Sequence, residues 1–173
     1  DSSQQFSHYY VLLPVALVAS VLVTRLSPNA KGHGTERVIE AVHKDNGLIH
    51  AVVVPIKFVT TIITLVFGGS AGKEGPSAHI GAGLASIFSN LFRFSESDRK
   101  KLVICGISAG FSAVFGTPIA GAIFGVEVLI VGNIRYDVLL PSFVAGMISY
   151  YTATYLGIDY HYFPIAIGSI QSI

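Results

Sequence analysis

Four apolar tracts, residues 9–24, 51–67, 102–126 and 138–156, constrain this chain more than any other feature, because Lys57 is the one charged side chain they contain. A helix crossing a hydrocarbon core needs roughly 20 apolar residues, and each tract reaches or approaches that length. Composition agrees: 51% hydrophobic against 12% charged residues, with a mean hydropathy of +0.64, falls outside the usual globular balance. A soluble helical core is the other reading, and it would have to cover all four tracts with 11 Lys and Arg and 10 Asp and Glu. The expected class is an all-α, multi-pass integral membrane protein. No basic segment precedes the first tract, so it does not read as a secretory signal. A net charge of +1, without a basic stripe interleaved with aromatics, gives no support to a nucleic-acid partner. Cys105 lies in an uncharged tract, where it is expected to pack as a small apolar residue.

Between the second tract and a small-residue segment stands Gly68-Gly69-Ser70-Ala71-Gly72-Lys73-Glu74-Gly75-Pro76-Ser77-Ala78-His79. The glycines let the backbone turn sharply and approach a ligand. Pro76 is preset for a first helical turn, so a helix is expected to start near it. Such a start offers free amides and the positive end of a macrodipole to an anion or a carboxylate. Glu74 stands beside that site. One reading makes it a carboxylate that occupies and vacates an anion-binding terminus; the other makes Lys73 and Glu74 solvated residues of a surface turn. A nucleotide-binding loop is excluded, because its spacing needs a glycine at Phe67 and a Ser or Thr at Glu74.

In chain order, residues 9–26 read as one long helix ending in the Ser27-Pro28-Asn29 turn. Residues 37–43 suit a short helix with Thr35 as N-cap, following Gly32-His33-Gly34. Too short to span, it is expected to be re-entrant, buried in protein or lining an aqueous path. His33 is either a ligand at that turn or a hydrogen-bonded loop residue. Residues 51–67 form a second helix whose Lys57 is expected to snorkel toward the nearer interface. The helix over residues 77–92 is lined with Ala78, Gly81, Ala82, Gly83, Ala85 and Ser86, a pattern that lets backbones approach closely inside a membrane protein. His79 on it reads as a satisfied interior histidine. Residues 93–101 are expected as a charged loop. Gly116-Thr117-Pro118 divides the third tract into two half-helices, the second running to Val131 with Glu127 near its end. With alternating passes, the basic loops 27–50, 93–101 and 133–137 share one face, cytoplasmic by the positive-inside rule. No His pair, acid pair or Ser–His–acid set suggests an enzyme, a metal site or a cofactor.

Gly72-Lys73-Glu74-Gly75-Pro76, followed by Ile80-Gly81, Gly106-Ile107-Ser108-Ala109-Gly110 and Phe115-Gly116-Thr117-Pro118-Ile119-Ala120-Gly121, resembles the CLC family of chloride channels and chloride/proton antiporters. The resemblance implies a CLC-type helical bundle with re-entrant and broken helices, forming a homodimer in the lipid bilayer. It also implies that residues 1–173 are most of the first of two inverted repeats, with the second repeat absent, so the chain is expected to be part of a longer transporter. Chloride or another small anion would be the transported ligand, with no further cofactor. Gly32, His33 and Gly34 would contribute to a central anion site, and Lys73, Gly75, Pro76 and Ser77 to an outer one. Glu74 would be the gating glutamate, its carboxylate competing with chloride for the same helix end and released by protonation.

Two departures bear on mechanism. His33 stands where the family usually has Ser, which leaves the choice among chloride, nitrate and fluoride open. Val128 stands where the antiporters carry a second, proton-handling glutamate. Glu127 is one residue away and therefore about 100° around the helix. The expected function is a pH- or voltage-gated chloride pathway of channel type. The alternatives are a chloride/proton antiporter and a non-conducting membrane assembly module.

Overall fold

The apolar tracts fold as helices, the third of them as two, and Pro28, Gly68-Gly69 and Gly116-Thr117 fall in breaks between α-helices. The computed structural model describes residues 2–128 and 136–160. Its elements are α1 (Ser2–Arg25), a 3-10 turn at Pro28–Ala30, α2 (Thr35–Lys44), α3 (Val53–Val66), α4 (Glu74–Leu91), α5 (Glu96–Phe115), α6 (Pro118–Val128) and α7 (Tyr136–Tyr155). The all-α expectation holds, and the two half-helices meet at Gly116-Thr117 as expected. The expected extension of α6 to Val131, Arg135 within the third basic loop, and Tyr162 lie outside the described residues.

Several boundaries differ from the sequence reading, each for a local reason. Helix α4 starts at Glu74 rather than at Pro76. N–H groups of a first turn have no intrahelical acceptor, so a proline is tolerated at its third position as well as its first. Gly34, not Thr35, is the N-cap of α2, and Thr35 is its first residue. The charged loop expected over residues 93–101 is mostly helix. Ser95 caps α5, its Oγ accepting from the Asp98 N–H at 3.2 Å, while Glu96 and Asp98 sit at the positive end of the dipole.

Among the described residues no helix is long and apolar enough to cross a membrane. Helix α3 has 14 residues, a length of roughly 21 Å. Helix α5 opens on Glu96-Ser97-Asp98-Arg99-Lys100-Lys101, and α7 contains Asp137, Pro141 and several tyrosines.

Packing centres on α4, α5, α6 and α7. The core joins Val38 and Val42 of α2, Val53 and Ile56 of α3, Ala78 and Ala82 of α4, Val103 and Ile107 of α5, Val126 of α6 and Val138 of α7. Helices α4 and α5 touch backbone to backbone: a Cβ on Gly81 would collide with the Gly106 carbonyl, and one on Gly106 with that of Gly81. This is the close approach expected of the small-residue face. Where α5 meets Gly121 and Gly125 of α6, its buried hydroxyls turn back on their own helix, Ser108 to the Ile104 carbonyl at 3.1 Å and Ser112 to that of Ser108 at 2.7 Å. No buried donor is wasted by that arrangement. Cys105 is partly buried beside the core and accepts from the Ser142 hydroxyl at 3.8 Å.

Candidate anion-binding cavity

The N-terminus of α2 and that of α4 meet end to end. Gly34 has φ +61°, and a Cβ there would lie 2.7 Å from the carbonyl carbon of Gly75, while a Cβ on Gly75 would lie 2.6 Å from the His33 oxygen. Neither position has room for a side chain, and Gly34 also needs the left-handed backbone that glycine adopts freely. The contact brings two first turns, each with N–H groups lacking an intrahelical acceptor, to one place. Their dipoles converge there.

Beside this junction opens a cavity of about 740 Å³ whose wall includes Gly32, His33, Lys57, Glu74, Gly75 and Pro76. Five of the residues expected at the anion sites or gate therefore lie together: Gly32, His33, Glu74, Gly75 and Pro76. Glu74 and His33 are exposed, and Gly34 is buried behind the turn. Lys73 is the exposed N-cap of α4 and is not in the cavity wall. Ser77 corrects the expectation that its amide would bind an anion: its N–H donates to the Lys73 carbonyl at 3.0 Å and its hydroxyl to the Glu74 carbonyl at 2.8 Å. With the helix beginning at Glu74, Ser77 is the first residue whose N–H finds an acceptor four residues back. Glu127 and Val128 are at the far end of α6, outside this cavity. Glu127 is exposed, and Val128 packs against the core.

Lys57 overturns the snorkelling expectation. It is 8% exposed, and its ammonium donates to the Gly32 carbonyl at 2.7 Å and to the Ala30 carbonyl at 3.2 Å. The stem points inward because the chain entering α2 passes directly over this face of α3. Thr60, Thr61 and Thr64 complete the polar wall on α3. Each hydroxyl is bonded to its own helix, as in Thr61 to the Lys57 carbonyl at 2.7 Å and Thr64 to the Thr60 carbonyl at 2.8 Å. Residues 57, 60, 61 and 64 follow i, i+3, i+4, i+7 spacing, so this polar stripe in an apolar tract is legible from sequence once periodicity is applied to the polar residues.

A second cavity, of about 370 Å³, is lined by Arg37, Glu40, His50, His79 and Arg99 among others. Its charges are largely answered within the protein. Glu40 pairs with Arg37 and with Lys44, each at 3.0 Å. Hydrogen bonding to Lys44 above all, then to Arg37, holds the Glu40 carboxyl below the usual carboxylate range. Arg99 donates to the Asn46 carbonyl and to Asn90 Oδ1, both at 2.9 Å. His79 is interior as expected, but its Nδ1 has no hydrogen-bond partner. Among the described residues no cluster of His, Cys, Asp and Glu would hold a metal ion.

The sequence pattern of the family described as Voltage gated chloride channel matches residues 15–172. The chain belongs to that family. A chloride/fluoride channel protein of Pseudomonas syringae pv. tomato is 35% identical over 168 residues, covering 94% of this chain and 37% of the relative. The H(+)/Cl(-) exchange transporter ClcA of Klebsiella pneumoniae is 31% identical over 134 residues, covering 72% of this chain and 28% of the relative. A CLC-type fluoride/proton antiporter of known crystal structure superposes with a TM-score of 0.83 at 28% identity, over 99% of this chain and 44% of that one. The CLC fold expected from the motifs is therefore the fold observed. The chain covers 37% and 28% of the length of these two curated relatives, whose names describe a channel and an exchanger.

Proposed function

We propose that this CLC chain forms one side of a transmembrane path for a small halide, gated by Glu74. The observation that carries the reading is the meeting of two helix N-termini at Gly34 and Gly75 beside a cavity holding Glu74. Convergent helix ends suit an anion. A carboxylate and a halide repel each other strongly at one such site in a low-dielectric setting, so one displaces the other. Protonating Glu74 releases its hold and opens the path. The remaining contacts belong to the rest of a CLC domain, and the functional unit is a homodimer in a lipid bilayer.

Membrane embedding is supported by the apolar side chains left exposed, among them Val15, Val18, Val21 and Leu22 on α1 and Leu140, Val144 and Ile148 on α7. In this orientation the basic loops 27–50, 93–101 and 133–137 face the cytoplasm. Fluoride stands beside chloride as a candidate cargo, because relatives of both descriptions match the chain.

Proton-coupled exchange is the second reading, supported by the exchanger and antiporter among the relatives. Against it stand Val128 packed on the core and Glu127 outside the wall of the Glu74 cavity. Chloride and fluoride flux from proteoliposomes carrying the full-length natural protein, with and without an imposed proton gradient, separates the two. Channel-type conduction moves halide with no coupled proton. In either case Glu74→Gln is expected to abolish most of the pH dependence of halide flux; a folded variant with an unaltered pH profile removes the gate.

A further inference from the structure

A buried ammonium costs several kcal/mol unless opposite charge compensates it. Among the described residues the ion pairs are Arg37–Glu40, Lys44–Glu40 and Lys101–Asp137, so Lys57 has no carboxylate in contact. Two of its three N–H donors go to the Gly32 and Ala30 carbonyls. Those dipoles compensate it only in part. Lys57 also lines the cavity that contains Glu74, so the missing negative charge has an evident place to sit.

The geometry points to Lys57 as the fixed counter-charge of this cavity, a positioning residue for which the Glu74 carboxylate and a small halide compete. It acts in two ways. Its ammonium ties down the carbonyls of residues 30 and 32, whose oxygens would otherwise repel an anion, and thereby holds the His33 turn against Gly75. Its charge favours whichever anion occupies the cavity. This rests on reading the cavity as the halide path, and it names the protein charge that sets halide affinity there. The other titratable groups in the cavity wall are Lys31, His33 and Glu36, and Arg37 adjoins them, its Nε donating to the Lys31 carbonyl at 3.3 Å.

The test uses Lys57→Met, Lys57→Gln and Lys57→Arg in the full-length protein. Chloride and fluoride binding is measured by titration calorimetry, and halide flux from proteoliposomes is followed against pH. Lys57→Met and Lys57→Gln are expected to weaken halide binding by about tenfold, the scale of one lost charge-assisted contact. They are also expected to raise the pH at which flux activates by about one unit, since Glu74 protonates more readily without a neighbouring cation. Lys57→Arg should retain both properties. Repeating the profile in a His33→Ser background separates histidine titration from that of Glu74. If Lys57→Met fails to fold, Lys57→Gln decides, because it can still donate to the carbonyls. A folded Lys57→Gln with wild-type affinity and pH profile overturns the inference, while a persisting effect of Glu74→Gln leaves the halide path standing. Absence of halide binding by the unmodified protein, together with silence of Glu74→Gln, overturns both.

Discussion

Between α4 and α5 the backbones touch along the helices, at Gly81 against Gly106 and at Gly110 against the Ser77 carbonyl; between α2 and α4 they touch end to end, at Gly34 and Gly75. Absence of a Cβ makes both contacts, yet the outcomes are opposite. Side by side, each helix keeps its own hydrogen-bond ladder. That seam closes on backbone contact, and among the described residues no cavity opens along it to hold a ligand. End to end, the first-turn N–H groups of both helices remain without intrahelical acceptors. That junction leaves a cavity, a convergent dipole and a buried lysine without a carboxylate. Helix orientation at the contact, rather than glycine content, decides whether a close approach becomes a closed seam or a junction open to a polar cavity.

The largest effect is expected at the side-by-side seam. Gly106→Val drives a branched side chain into the Gly81 carbonyl and the Ala85 methyl, with no flexible side chain available to move aside. The cost lies toward the upper end of the roughly 1–3 kcal/mol typical of overpacking, and the protein is expected to lose monodispersity in detergent along with all halide flux. A stable, transporting Gly106→Val would show that the seam is not needed for the fold.

Gly34→Ala comes next and separates the two regions. It forces a positive φ on alanine and a collision with Gly75, a local strain of about 1–3 kcal/mol. Helices α4 to α7 pack without Gly34, so the expected variant remains folded by circular dichroism but loses halide affinity in titration calorimetry. Equal loss of fold and binding would mean that the α2 junction is as structural as the α4–α5 seam.

The side-by-side seam was the more legible of the two in the sequence. Gly81 and Ala85 on one helix, with Gly106 and Gly110 on the next, stand at helical spacing within small-residue segments. The residues that form the end-to-end junction were also singled out by their glycines, and five of them do line one cavity. Their chemistry was less legible. A start of α4 at Pro76 makes Ser77 a donor to an anion, and the start at Glu74, two residues earlier, reverses whether its N–H is free. Lys57 looked like a snorkelling residue because sequence alone does not say which element crosses that face of α3. The 57, 60, 61, 64 stripe carries the signal, in the periodicity of the polar residues rather than of the apolar ones.

Glu127→Gln sharpens the comparison from outside both contacts. Glu127 is exposed at the end of α6 and does not enter the Glu74 cavity, so the expected halide flux, and its response to a proton gradient, equal those of the unmodified protein. A selective loss of proton movement in the proteoliposome assay would instead make the α6 terminus a proton route, and the end-to-end junction would then be only half of the transport machinery.

The smallest effect concerns the outer face of α2. Glu40 is held below the usual carboxylate range by Lys44 and Arg37, so its ionised form is favoured in the folded state. A carboxyl depressed in this way contributes stability above its unfolded value, about 4.3 for glutamate, and loses it as pH falls through the lower folded value. The pairs are solvent-exposed, so water and salt screen them and their contribution is slight. Glu40→Gln is therefore expected to lower the thermal midpoint slightly at neutral pH and low salt, with the difference from the unmodified protein vanishing in acid and in high salt. Halide affinity should not change, because Glu40 faces the second cavity rather than the one containing Glu74. A change in affinity would show that the ion pairs of α2 help to hold its N-terminus against Gly75, tying the surface of that helix to the junction at its end.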